Sequence, residues 1–227
     1  MRERFKGSTK GKGKGTGLKS MTAAGRKRRK PNLFNDFDRH PIVPTTITDT
    51  GTQTYTVPNY VDTVTVTMYG GGGGGGMHYG ARGNDTDGGG GGGGARVVVT
   101  IDEIAAGTVL TFENGIGGAY DPQPNQNSAD GADTTFSYGG IDYVAGGGEG
   151  SAGGYVLMGA KDGTGGVADC DGGANCVETP GNDGTPMDST RLPGIALGDD
   201  AGAGGAGGDD GDPSGVAHGL PGKVIIS

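Results

Sequence analysis

Two runs of seven consecutive glycines, 70–76 and 88–94, constrain this chain more than anything else in it. Ordering a residue costs roughly 1–2 kcal/mol of backbone entropy, and glycine loses the most. Leu, Ile, Val and Phe total only 36 of 227 residues, 31 of them beyond residue 40. At roughly 1.5–3 kcal/mol each when buried, they offset only part of that cost. The tracts therefore have two fates. They are unstructured loops, or they are extended segments that pack backbone against backbone in the manner of polyproline-II helices, which the missing Cβ permits. In the second case the stretches around 77–82 and 121–133 are held out by the packed tracts. The 55 Gly and 11 Pro follow no strict Gly-X-Y repeat, so collagen is excluded. No run of 18 apolar residues supplies a transmembrane helix, so no membrane insertion is expected. The opening Met1–Gly15 lacks the apolar run of a secretory signal, so synthesis in the cytosol is expected.

Charge divides the chain. Residues 1–40 hold 13 of the 18 Lys/Arg and 3 of the 26 Asp/Glu, a net +10, which leaves −18 on residues 41–227. Such asymmetry marks a basic interaction arm on an acidic body. The body's field repels nucleic acid and anionic membrane, so only the arm suits a nucleic-acid partner. Lys10, Lys12 and Lys14 alternate with glycine, which favours a flexible coil. Arg26, Lys27, Arg28, Arg29 and Lys30 form a basic run that suits an acidic protein or a nucleic acid equally. Between Pro31 and Pro41, Leu33, Phe34 and Phe37 form either a docking peptide or a segment that folds back on the body.

Beyond residue 41 the pattern is that of strands. Thr52–Val57 is a short β-branched run. Val64, Val66 and Met68 alternate with Thr63, Thr65 and Thr67, the period-two mark of a half-buried strand. Arg96–Ile101, Thr108–Phe112, Thr134–Tyr138, Ile141–Ala145 and Lys223–Ser227 continue the series, with Gly139-Gly140 as a hairpin turn. The expectation is an all-β body, sandwich or jelly-roll-like, over residues 41–227, with the basic arm at 1–40 and its docking peptide at 31–41.

The order of these landmarks resembles the glycine-rich domain of bacteriophage tail-fibre, minor tail and other virion proteins. The stretch TQTYTVPNYVDTVTVTMY runs straight into a glycine tract, as that domain opens. Gly107–Gly118, Thr135–Gly148 and the closing Pro221–Ile226 resemble its later steps, so the resemblance covers about residues 50–227. It implies a virion structural protein with no cofactor, assembled in the host cytoplasm and expected to be a homo-oligomer. The arm would join it to other virion proteins. Two classes follow: a tail-fibre or tail-tip element for host attachment, or a head-associated decoration or head-fibre protein with no tight receptor. An arm bound to packaged nucleic acid is a further alternative.

No enzyme is expected. GxGxxG matches are uninformative at this glycine content, Walker and GxSxG spacings are absent, and His40, His78 and His218 stand apart. No metal site is expected either, and the acidic turns at Asp199-Asp200 and Asp209–Asp212 read as solvated. Cys170 and Cys176 are close enough in sequence to close a disulfide loop, or they are two free thiols. Large side chains are scarce among the glycines, so Met77, His78, Tyr79, Arg82 and Tyr120 are the candidate contacts to a receptor, a glycan or a protein. The alternative is that Met77 and Tyr79 tuck under the glycine layer as its core.

Overall fold

The computed structural model describes residues 42–76, 88–121, 126–152, 161–184, 202–204 and 218–227. The chain divides into two units, Met1–His40 and Pro41–Ser227, and every described residue lies in the second. The arm candidates Lys10, Lys12, Lys14, Arg26–Lys30, Leu33, Phe34 and Phe37 therefore lie outside the described residues.

Two antiparallel sheets of five strands face each other. The first runs β1 (Thr45–Ile47), β10 (Lys223–Ile226), β3 (Thr63–Tyr69), β4 (Arg96–Asp102) and β9 (Cys176–Thr179). The second runs β2 (Gly51–Thr56), β5 (Val109–Asn114), β6 (Thr134–Tyr138), β7 (Ile141–Ala145) and β8 (Ala168–Asp169). The described residues contain no helix, so the fold is all-β and sandwich-like, as expected.

The alternation in the sequence builds the core. Val64, Val66 and Met68 of β3 turn inward beside Val97, Val99 and Ile101 of β4 and Val224 and Ile226 of β10. Leu110, Phe112, Phe136, Tyr143 and Ala145 meet them from the second sheet. Phe136 lies at the centre of an aromatic stack, 4.9 Å from Phe112 and 5.6 Å from Tyr143 between ring centroids. The Gly139-Gly140 turn has positive φ at both residues, 63° and 82°, the type I′ geometry that matches strand twist.

β1, β8 and β9 were not anticipated. They are three, two and four residues long, too short to show alternation, and their pairing partners are far away in sequence. β8 and β9 lie at the same side of the sandwich, one at the edge of each sheet. A disulfide between Cys170 and Cys176 closes the link between them, with Cys170 buried in the core.

The described glycine-rich segments that adjoin strands lie at one end of this sandwich. β3, β5, β7 and β9 run into segments 70–76, 115–121, 146–152 and 181–184. β4, β6, β8 and β10 are entered from 88–95, 126–133, 161–167 and 218–222.

Candidate functional site

These segments form a lattice with a period of three. Along 70–76, the N–H groups of Gly70, Gly73 and Gly76 donate to the carbonyls of Ala95, Gly92 and Gly89. Those of Gly71 and Gly74 donate to Ala132 and Ala129, and that of Gly72 donates to Leu220. Each third residue thus addresses the same neighbour, with bonds of about 2.9 Å. A helix with three residues per turn and no internal hydrogen bonds has this property, which is the polyproline-II geometry. The tracts are packed, not loose.

Hydrogen bonds among the neighbours close a ring around 70–76. Segment 88–95 bonds to 146–152 through Gly92–Glu149, and 146–152 to 126–133 through Gly131–Gly148. The ring continues through Ala129–Ala119, Gly219–Gly118 and Leu220–Ala203, and closes where Gly94 donates to Gly202. Segments 161–167 and 181–184 extend the lattice outside 88–95, with Gly166 donating to Gly93 and Gly93 to Asn182.

Position in the lattice explains composition. Segments 70–76 and 88–94 are enclosed, every residue is buried, and every residue is glycine. In the outer segment 161–167, Gly163 and Gly166 point inward while Lys161, Thr164 and Val167 face solvent. Segment 115–121 repeats the scheme, with Gly115 and Gly118 inside and Ile116 and Ala119 outside. A methyl group on Gly73 would lie against the Glu149 carbonyl, and one on Gly91 against that of Gly73, both inside 3.0 Å. Backbone is the obstacle at each position, so no side chain can swing away.

Aspartate side chains supply acceptors at four further lattice N–H groups. Gly147 and Gly150, three residues apart, donate to Oδ1 of Asp133 and Asp130, also three apart, both at 2.8 Å. Gly165 donates to Asp183 at 2.9 Å and Gly90 to Asp162 at 3.2 Å. Burial raises the Asp162 carboxyl above its ordinary value near 3.8; the Gly90 N–H opposes that shift and the like charge of Asp183 reinforces it. Sequence reasoning missed these caps, although the spacing of Asp130 and Asp133 was a visible sign. It also missed the joint between sheets and lattice. There the buried Thr134 hydroxyl accepts from Gly115 at 3.0 Å and donates to the Tyr69 carbonyl at 2.7 Å, while Asn114 Nδ2 donates to Asp49 and Gly222.

The lattice has a rim remote from the sheets. Gly76 donates to Gly89 there, Ser128 to Ser151, Ser151 to Gly74, and Ala152 to Lys161. The Ser128 hydroxyl bonds the Gly75 carbonyl at 2.5 Å and accepts from Asp121 N–H, tying three segments at one level. Gly76, Asp121 and Ala152 lie at this rim, next in sequence to the connecting residues 77–87, 122–125 and 153–160. Met77, His78, Tyr79 and Arg82 belong to the first of these connections and lie outside the described residues. Tyr120 is described: it is half-buried, packed edge-on to His218 at 5.1 Å, with its N–H donated to His218 Nδ1. Among the described residues no group of His, Cys, Asp and Glu is placed to hold a metal ion, and no helix is long and apolar enough to cross a membrane.

A family model described as a glycine-rich domain matches residues 47–225, which spans both sheets and the whole lattice. No curated protein matches the chain.

Proposed function

The chain belongs to the glycine-rich domain family, and from that premise we propose that it is a bacteriophage virion protein that presents receptor-binding loops at a tail tip. The observation that carries this reading is the shared rim. Gly76, Asp121 and Ala152, each the last described residue before a connection, meet at one level of a hydrogen-bonded lattice, and function concentrates in loops that a rigid scaffold positions. Tyr79 offers a ring face for a sugar or apolar group, and Arg82 a planar fork for a carboxylate or phosphate. In this reading residues 1–40 fasten the protein to the particle.

The test uses particles that carry the chain. Tyr79→Ala with Arg82→Ala should lower the rate of adsorption to host cells by about tenfold or more, while the melting temperature of the purified protein stays constant. Unchanged adsorption, with particles that lose resistance to heat, would replace this reading with a head-associated decoration.

A further inference from the structure

Among the described residues, one long sheet edge of the sandwich has no pairing partner. Of the four edge strands, β1, β8 and β9 are three, two and four residues long, and brevity is a standard protection against edge pairing. β2 is different. It runs six residues, GTQTYT, with no proline, no charged side chain and no bulge in its register against β5. Its register shows which backbone groups are free. Val57 N–H donates to the Thr108 carbonyl and Gly107 N–H to the Val57 carbonyl. Antiparallel alternation then turns residues 51, 53 and 55 toward β5 and the N–H and C=O groups of Thr52, Thr54 and Thr56 outward. The side chains of the same three threonines are exposed.

We propose that β2 pairs antiparallel with β2 of a second copy about a two-fold axis at Thr54, joining the second sheets of the two copies into one continuous sheet. The strand is self-complementary in this arrangement. Thr54 faces Thr54 of the second copy and Thr52 faces Thr56, and threonine pairs of this kind are favourable across strands. β2 itself carries no charged residue, and Glu113, which accepts from the Thr52 hydroxyl at 2.7 Å, belongs to β5 on the paired side of the strand. A closed two-fold contact uses the one edge both copies leave open and creates no further edge to propagate. One strand pair is a small interface, so the dissociation constant should be on the order of micromolar. Each copy carries a net −8, so rising salt should tighten the dimer.

Light scattering across a concentration series of the full chain reads the equilibrium. Hydrogen exchange reads whether protection of Thr52, Thr54 and Thr56 rises with concentration. Thr54→Lys places two ammonium groups on the axis and should raise the dissociation constant by about tenfold or more without changing the melting of the dilute protein. Thr54→Val keeps the strand and should keep the dimer. A wild-type chain that stays monomeric at tens of micromolar overturns the proposal. So does a dimer that survives Thr54→Lys and weakens with salt, because attraction between unlike charges would then hold it.

Discussion

One methyl group is a sufficient probe of the lattice, because at most of its glycines the obstacle is a carbonyl held by hydrogen bonds. Gly73→Ala and Gly91→Ala should each cost about 3 kcal/mol or more, beyond the usual range for an overpacked core where side chains can give way. Chemical denaturation of either variant checks this, and a parental midpoint would mean that the tracts are not packed. Gly107 is the control. It has open space around it but φ of +77°, so Gly107→Ala should cost only about 1–2 kcal/mol, from left-handed backbone strain. Asp162 makes a prediction in pH. Its carboxyl is raised in the folded state, so the folded protein binds more protons than the unfolded chain between the ordinary value near 3.8 and the raised one. Stability from this group therefore falls as pH rises through that window. Asp162→Asn keeps an acceptor for Gly90 and cannot ionise. Its melting temperature relative to the parent should climb across the same window and level off above it. A difference that does not vary with pH would show that the carboxyl is not responsible.

At the scale of elements, each segment's place determines what it tolerates. The enclosed segments hold glycine alone, whereas the outer ones keep glycine where a position faces inward, as at Gly163 and Gly166, and carry side chains elsewhere. That is why the chain lacks an overall Gly-X-Y repeat while individual segments such as 161–167 obey a local one. β8 and β9 depend on a different device. With only two and four residues they hold the far side of the sandwich through the Cys170–Cys176 bridge, which spans a sequence separation of six. A loop of that size should contribute about 2 kcal/mol. Reduction should lower the denaturation midpoint accordingly and speed hydrogen exchange at 168–179 ahead of the core strands. If exchange there does not change, the bridge is not what holds this edge.

For the whole molecule, charge divides the chain, with a net +10 on residues 1–40 and −18 on residues 41–227. Among the described residues the lattice and sandwich form one body with its own core. On the proposed function, deleting 1–40 should leave a soluble protein with an unchanged melting temperature that no longer enters virions, because its +10 arm is gone. Normal incorporation of the truncated chain would place the anchor elsewhere. Replacing 77–87 with an unrelated loop should likewise leave melting unchanged and alter only adsorption. A large loss of stability would mean that this connection is part of the lattice core, as the packing alternative for Met77 and Tyr79 holds.

Much of this was legible in the amino-acid order. Period-two alternation in Val64–Met68 and Arg96–Ile101 is local, and so are the Gly139-Gly140 turn and the charge boundary at residue 40; each can be read without knowing what lies nearby. Seven glycines in a row also declare that no side chain is tolerated there. They do not say what fills the space. That the tracts are packed and that 70–76 lies at the centre were decided by tertiary structure. So were the Asp130 and Asp133 caps, and the pairing of β1, β8 and β9. The physical reason is the same in each case. A polyproline-II helix makes no hydrogen bonds with itself, so every bond that orders a glycine here comes from a segment elsewhere in the chain, and no local window of sequence contains both partners.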